Sequence, residues 1–207
     1  ERIMPVKNNR EYRALLQPLT ALQRSDNKRL ESDYYVEGYA TTFDKPYLLY
    51  EDDEIKIYEV IDRNALAGAD LSDVIMQYDH TGRVYARLSN NTLLIEPDEH
   101  GIFIAADLSK TAGAKELHGD IMAGMINKMS WAFTIAANGD SLEETEKNVY
   151  LRRISKIKKV YDVSAVSIPA NNDTEIAARS FAKGITLQRE QEQLFKRAAL
   201  LKIKTLL

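Results

Sequence analysis

The stretch VIMQYDHTGRVYARLSNNTLLIEPDEHGIFIAADL, residues 74–108, carries four short runs of strand-forming residues, at 74–78, 83–88, 92–96 and 102–108. Each is rich in Val, Ile, Leu or Tyr and too short for a core helix. Turn chemistry separates them at Thr81-Gly82, at Ser89-Asn90-Asn91 and from Pro97 to Gly101, where side chains that bond their own backbone, proline and glycine all favour reversal. Strands this short and this closely spaced predict an antiparallel barrel or sandwich. His80 closes the first run, where strand gives way to turn.

The same pattern extends in both directions. Upstream, residues 35–43 and 54–61 read as strands around a turn at Asp44-Lys45-Pro46. Before them, residues 11–22 have mixed polarity and QRSDNKRLESD, residues 23–33, is densely charged, so residues 1–33 read as a loosely attached arm. The first residue, Glu1, suggests a trimmed chain. Downstream, Thr111 caps a helix over 113–127 whose Leu117, Ile121 and Met125 recur every four residues, and Ser130 follows its end. Strands resume at 131–137, 149–157 and 160–168, with residues 138–148 as an acidic, mobile connection. The final segment, GITLQREQEQLFKRAALLKIKTLL, reads as an amphipathic helix with Leu187, Leu194, Ala198 and Leu201 inward. The fold class is therefore α+β, mainly β, organised as arm 1–33, main domain 34–180 and C-terminal helix 181–207.

Composition narrows the function. At 207 residues, 44% hydrophobic and 29% charged, the chain can bury one real core. A net charge of −3 with mixed signs supplies no basic field for nucleic acid, and no strand shows the aromatic-plus-basic pattern of a stacking platform. Without cysteine there is neither disulfide nor thiolate chemistry. No apolar run is long enough to span a bilayer, and no signal-peptide pattern opens the chain. His80, His100 and His118 lack the spacing that puts two ligands on one helix face, and Gly68, Gly113, Gly119 and Gly124 form no phosphate loop. Neither metal nor cofactor is expected. His100 reads as a turn residue and His118 as a partly exposed helix residue.

Three residues fit the chemistry of acyl transfer. A serine hydroxyl is a poor nucleophile at neutral pH, so Ser130 needs a base within hydrogen-bond reach. Neutral His80 can take that proton and return it to a leaving amine, and Asp162 can hold the ring in the right tautomer. A plainer reading of Asp162 is a solvated strand residue, or a partner of Lys156, Lys158 and Lys159. Candidates for the oxyanion site are the backbone N–H of Trp131 or an amide held by Arg152 or Arg153. The chain order His, Ser, acid differs from those of the chymotrypsin-like, subtilisin-like and α/β-hydrolase folds.

Several motifs resemble one family. They are YVEGYA at 35–40 with Phe43; Glu59, Val60 and Ile61 leading to Asn64 and Ala65; VIMQYDH ending at His80; Met-Ser-Trp-Ala-Phe around Ser130; and Asp162 before a strand that ends in Pro-Ala-Asn at 169–171. Together, over about residues 34–180, they resemble the prohead (capsid maturation) proteases of tailed phages, which are similar to herpesvirus assembly proteases. Family members often carry Glu at the position of Asp162, and the herpesvirus relatives a second His. The resemblance implies a herpesvirus-protease-like barrel core with His80, Ser130 and Asp162 as catalytic residues. It also implies an endopeptidase inside the immature capsid in the host cytoplasm. Its substrates would be scaffold, the major capsid protein's scaffold-like arm and the protease itself, and it would self-associate as a dimer or larger. The competing reading is a non-catalytic assembly or scaffolding protein that keeps the fold and uses the C-terminal helix for association.

Overall fold

The computed structural model describes residues 10–22, 28–167, 182, 184–187 and 189–199. Strand β1 is Glu11–Pro18, β2 Thr20–Leu22, β3 Tyr35–Thr42, β4 Tyr47–Glu51, β5 Lys56–Ile61, β6 Ile75–Tyr78 and β7 Thr81–Arg87. A 3-10 turn, Leu88–Asn90, leads to β8, Leu93–Pro97, and β9, Gly101–Asp107; helix α1, Ala112–Met122, follows. Then come β10, Lys128–Ile135, β11, Asp140–Glu146, β12, Val149–Ile154, and β13, Ile157–Val166. The mainly β class expected from the strand spacing holds. The ladders form three sheets, ordered β1-β10-β13-β6-β7, β11-β12-β5-β4 and β2-β3-β9-β8, and none of them closes into a barrel. They are not purely antiparallel either, since β12 runs parallel to β5 and β13 parallel to β6.

Two-residue alternation explains how the first sheet serves both core and site. On β10, Met129, Trp131 and Phe133 enter the main core beside Val163 and Ala165 of β13. The intervening positions put Ser130 opposite Ser164 and Ala132 opposite Asp162 on the other face. Sheet β2-β3-β9-β8 covers the core side with Val36, Ala40, Ile104 and Ala106. Its β3–β9 approach requires Gly101, where a Cβ would lie 1.9 Å from the Thr41 carbonyl oxygen.

Several expectations change against this frame. Residues 11–18 are not a loosely attached arm: β1 pairs along β10 from Glu11↔Phe133 to Pro18↔Lys128. Residues 20–22 pair with β3. The acidic 138–148 connection contains β11, whose Glu143, Glu144 and Glu146 are exposed while its backbone pairs with β12. Thr111 caps α1 as expected, its hydroxyl accepting from the Ala114 N–H at 3.1 Å, but the helix stops at Met122. Leu117 and Ile121 are buried, whereas Met125 lies beyond the helix and is 78% exposed. Ser130 is thus delivered from within a strand, not from a helix end.

The C-terminal helix exists over 184–187 and 189–199, with a different face inward. Ala182 and Ile185 complete a small second core with Ile55, Ile57 and Tyr150. Leu187, Leu194, Phe195 and Ala198 are exposed, and Leu201 lies outside the described residues. Among the described residues the helix docks through Ile185 and through Arg189, which donates to Asn148 at 2.8 Å, so Leu187, Leu194 and Ala198, which pattern alone turned inward, are left on the surface.

Candidate active site

β13 supplies the acid, β10 the alcohol and the β6–β7 hairpin the base. His80 Nδ1 lies 2.6 Å from Asp162 Oδ1, and His80 Nε2 lies 2.7 Å from Ser130 Oγ. A carboxylate can only accept, so Nδ1 carries the proton and donates to Asp162, leaving Nε2 as acceptor for the Ser130 hydroxyl. All three side chains are buried, with 4% exposure for the His80 ring and 5% for the Asp162 carboxylate. The structure therefore brings together the three residues singled out in the sequence. Lys159 instead pairs with Asp70 at 2.6 Å, which removes the plainer reading of Asp162 as its partner.

His80 is delivered by an unusual turn. Tyr78 pairs with Thr81 across a two-residue connection, and both connecting residues have positive φ, 48° at Asp79 and 58° at His80. Such turns match the twist of a hairpin and favour Asn, Asp or Gly at the first of those positions and Gly at the second, so His80 is the residue out of pattern. A non-glycine residue there costs about 1 kcal/mol or more, and conformations of this kind persist where the surroundings enforce them. The sequence signal pointed to Thr81-Gly82 instead, where Gly82 does have φ 70° but already belongs to β7.

Two neighbours were not singled out as parts of the site. Ser164, fully buried, donates its hydroxyl to the same Asp162 oxygen at 2.6 Å. This second bond restrains the rotation of the carboxylate. The signal was available, since Ser164 is two residues from Asp162 and must share its face. Tyr12 of β1 packs edge-on against the His80 ring, with centroids 4.8 Å apart. Asp79 does not touch the imidazole; its carboxylate accepts from Ser167.

The other histidines stand apart. His118 is buried, not partly exposed, packing edge-on against Tyr34 with centroids 5.2 Å apart. Burial, with a smaller contribution from Lys28, holds it below the ordinary imidazole range. His100 packs against Tyr39 in its turn. Among the described residues no group of three His, Asp or Glu side chains is arranged to hold a metal ion, and no helix is long and apolar enough to cross a membrane.

The candidate oxyanion donors fare differently from the triad. Trp131 sits on an inner strand, opposite Arg13 on one side and Val163 on the other, so its N–H is directed into a ladder and not at a substrate. Arg153 is half-exposed and paired with Asp62. Arg152 belongs to a buried charge cluster with Glu11, Arg13 and Glu59. Arg13 Nε is 2.5 Å from Glu59, Arg152 reaches Glu11 at 2.6 Å and Asp140 at 3.0 Å, and Tyr47 donates to Glu59. Burial alone drives the Glu11 carboxyl up, but Arg13 and Arg152 outweigh it and hold Glu11 at about 2. Burial raises the Tyr47 phenol well above its ordinary range, with Glu59 adding to the effect. Glu11 and Arg13 of β1 anchor in this cluster, while Tyr12 and Ala14, opposite Ala132 and Ser130, border the triad.

With this geometry in place, a comparison with family models decides the lineage: the model for the caudovirus prohead serine protease matches residues 21–186. The chain belongs to the prohead serine protease family. Membership carries serine protease activity, capsid proteins as substrates and a place in the procapsid at the level of the family. No curated protein and no solved structure gives a significant match. Strand β1 of this prohead protease lies before the matched segment, yet it borders the serine strand and the histidine.

Proposed function

We propose that this chain is an endopeptidase that cleaves scaffold, or the scaffold-like arm of the capsid subunit, and itself, using Ser130, His80 and Asp162. The observation that carries this reading is the continuous relay from the Ser130 hydroxyl through both ring nitrogens to a buried carboxylate, at 2.7 and 2.6 Å.

The chemistry follows from the polarity of those bonds. Ser130 Oγ attacks the scissile carbonyl carbon as its proton passes to His80 Nε2, forming a tetrahedral adduct. Asp162, already bonded to Nδ1–H, stabilises the imidazolium so formed. The C–N bond then breaks and Nε2 gives the proton to the departing amine, leaving an acyl ester on Ser130. Water repeats the sequence, releasing the acid and restoring the hydroxyl. Ser164, donating to the same carboxylate oxygen, keeps Asp162 aligned throughout.

Self-association is part of the reading. Leu187, Leu194 and Phe195 are 47%, 64% and 78% exposed on one helix, more apolar surface than a solvated segment needs. Co-expression with scaffold and capsid subunit tests the proposal. Wild type should convert both to shortened products, and Ser130→Ala should leave them full length in intact procapsids. Equal cleavage by the two proteins overturns the assignment.

A further inference from the structure

Resting on the catalytic reading of His80, we propose that Asp79 is a positioning residue for the general base, acting through a clamp onto the end of β13. Three bonds make the clamp: the Asp79 N–H donates to the Ala165 carbonyl at 3.0 Å, and the Asp79 carboxylate accepts from the Ser167 N–H at 2.9 Å and from the Ser167 hydroxyl at 2.8 Å. They extend the parallel pairing of β6 with β13, in which Asp162 faces Ile75 and Ala165 faces Tyr78. The strand that carries the catalytic carboxylate therefore also holds the residue preceding the histidine.

The turn needs such a restraint. Asp79 tolerates its positive φ, but His80 takes one where such a turn favours glycine. Without an external hold the two-residue connection would populate other conformations and swing the imidazole. Nε2 must stay within reach of Ser130 on β10 while Nδ1 stays on Asp162, so a shift of one ångström breaks one bond or both. A misplacement of that size costs up to about 100-fold in rate. Asp79 does this at one remove. It touches neither ring nor hydroxyl.

Substitution by glycine separates the clamp from the strain. Asp79→Gly relieves the positive φ and deletes the carboxylate, so the hairpin should be no less stable while the restraint is lost. Asp79→Asn tolerates the same φ, and its amide can accept from the Ser167 N–H and donate to the Ser167 hydroxyl. The readout is the rate of labelling by a fluorophosphonate probe, which needs no peptide substrate. Ser130 Oγ forms the bond to phosphorus, fluoride leaves, and His80 takes the proton.

Full-length Asp79→Gly should label about tenfold or more slowly than wild type at an unchanged melting temperature. Asp79→Asn should stay within about threefold of wild type, and Ser167→Ala, which keeps the N–H bond, should fall between them. Glycine labelling at the wild-type rate overturns the clamp. So does Asp79→Asn labelling as slowly as glycine, because the negative charge and not the hydrogen bonding would then be what matters. Wild type that does not label, or labels equally with Ser130→Ala, overturns the catalytic reading itself and is told apart by those two controls.

Discussion

Glu11→Gln is the sharpest test of whether β1 belongs to the folded protease. Glu11 is 5% exposed and accepts from Arg152 Nη1 at 2.7 Å, from Arg152 Nη2 at 2.6 Å and from Arg13 Nη2. A glutamine keeps the volume but sets an NH2 group against a guanidinium N–H, donor against donor. The size of the loss follows from proton linkage. A carboxyl held at about 2 in place of its ordinary 4.5 favours the folded state by about 3 kcal/mol at neutral pH. Because the folded value is depressed, this stabilisation is complete above about pH 4.5 and is lost as pH falls toward 2. Urea unfolding should therefore put Glu11→Gln about 3 kcal/mol below wild type at pH 7 and only about 1.5 kcal/mol below it at pH 3. The melting temperature at pH 7 should drop by roughly 6–12 °C. A gap under about 0.5 kcal/mol at pH 7, or one that stays constant between pH 5 and 3, would refute the reasoning, since an exposed charge behaves in that way.

Four further outcomes concern the site and the surface. His80→Ala should cost roughly 10⁶-fold in turnover and Asp162→Asn roughly 10⁴-fold, because the ring still accepts a proton when transiently in the right tautomer; equal losses in steady-state assays would count against the orienting role. Ser164→Ala removes one donor to a buried carboxylate and should lower kcat about 10- to 100-fold with KM little changed; a wild-type kcat sinks that role. Tyr12→Ala should lower activity more than Tyr12→Phe, since the contact with His80 is through the ring face and edge; identical rates for wild type and Tyr12→Ala would show that β1 does not wall the site. Leu194→Glu combined with Phe195→Glu should reduce the mass measured by light scattering, and an unaltered mass would show that this helix face is not the contact.

What could be read from the sequence and what could not divides along local and non-local physics. Strand spacing and the Thr111 cap are local and are found where they were expected, and the motif-borne His80, Ser130 and Asp162 meet, although Ser130 lies within a strand and not after a helix end. β1 misled because Glu11 and Arg13 look solvated until their partners arrive from Glu59 and Arg152, far along the chain. A charge in a short alternating segment is normally turned to water; here four buried charges satisfy one another, an arrangement no single-segment pattern encodes. The histidine turn misled for the opposite reason. His80 stands where local preference asks for glycine, and contacts from β13 enforce the geometry. Both failures adjoin the triad. β1 places Tyr12 against the ring and the turn carries the ring itself, so the least predictable backbone is the backbone that orients His80. Ser130, on an inner strand, is fixed by ladders on both sides. The histidine, on a two-residue turn, has no ladder of its own, and β1, Asp79 and Asp162 supply from outside what its sequence neighbourhood lacks.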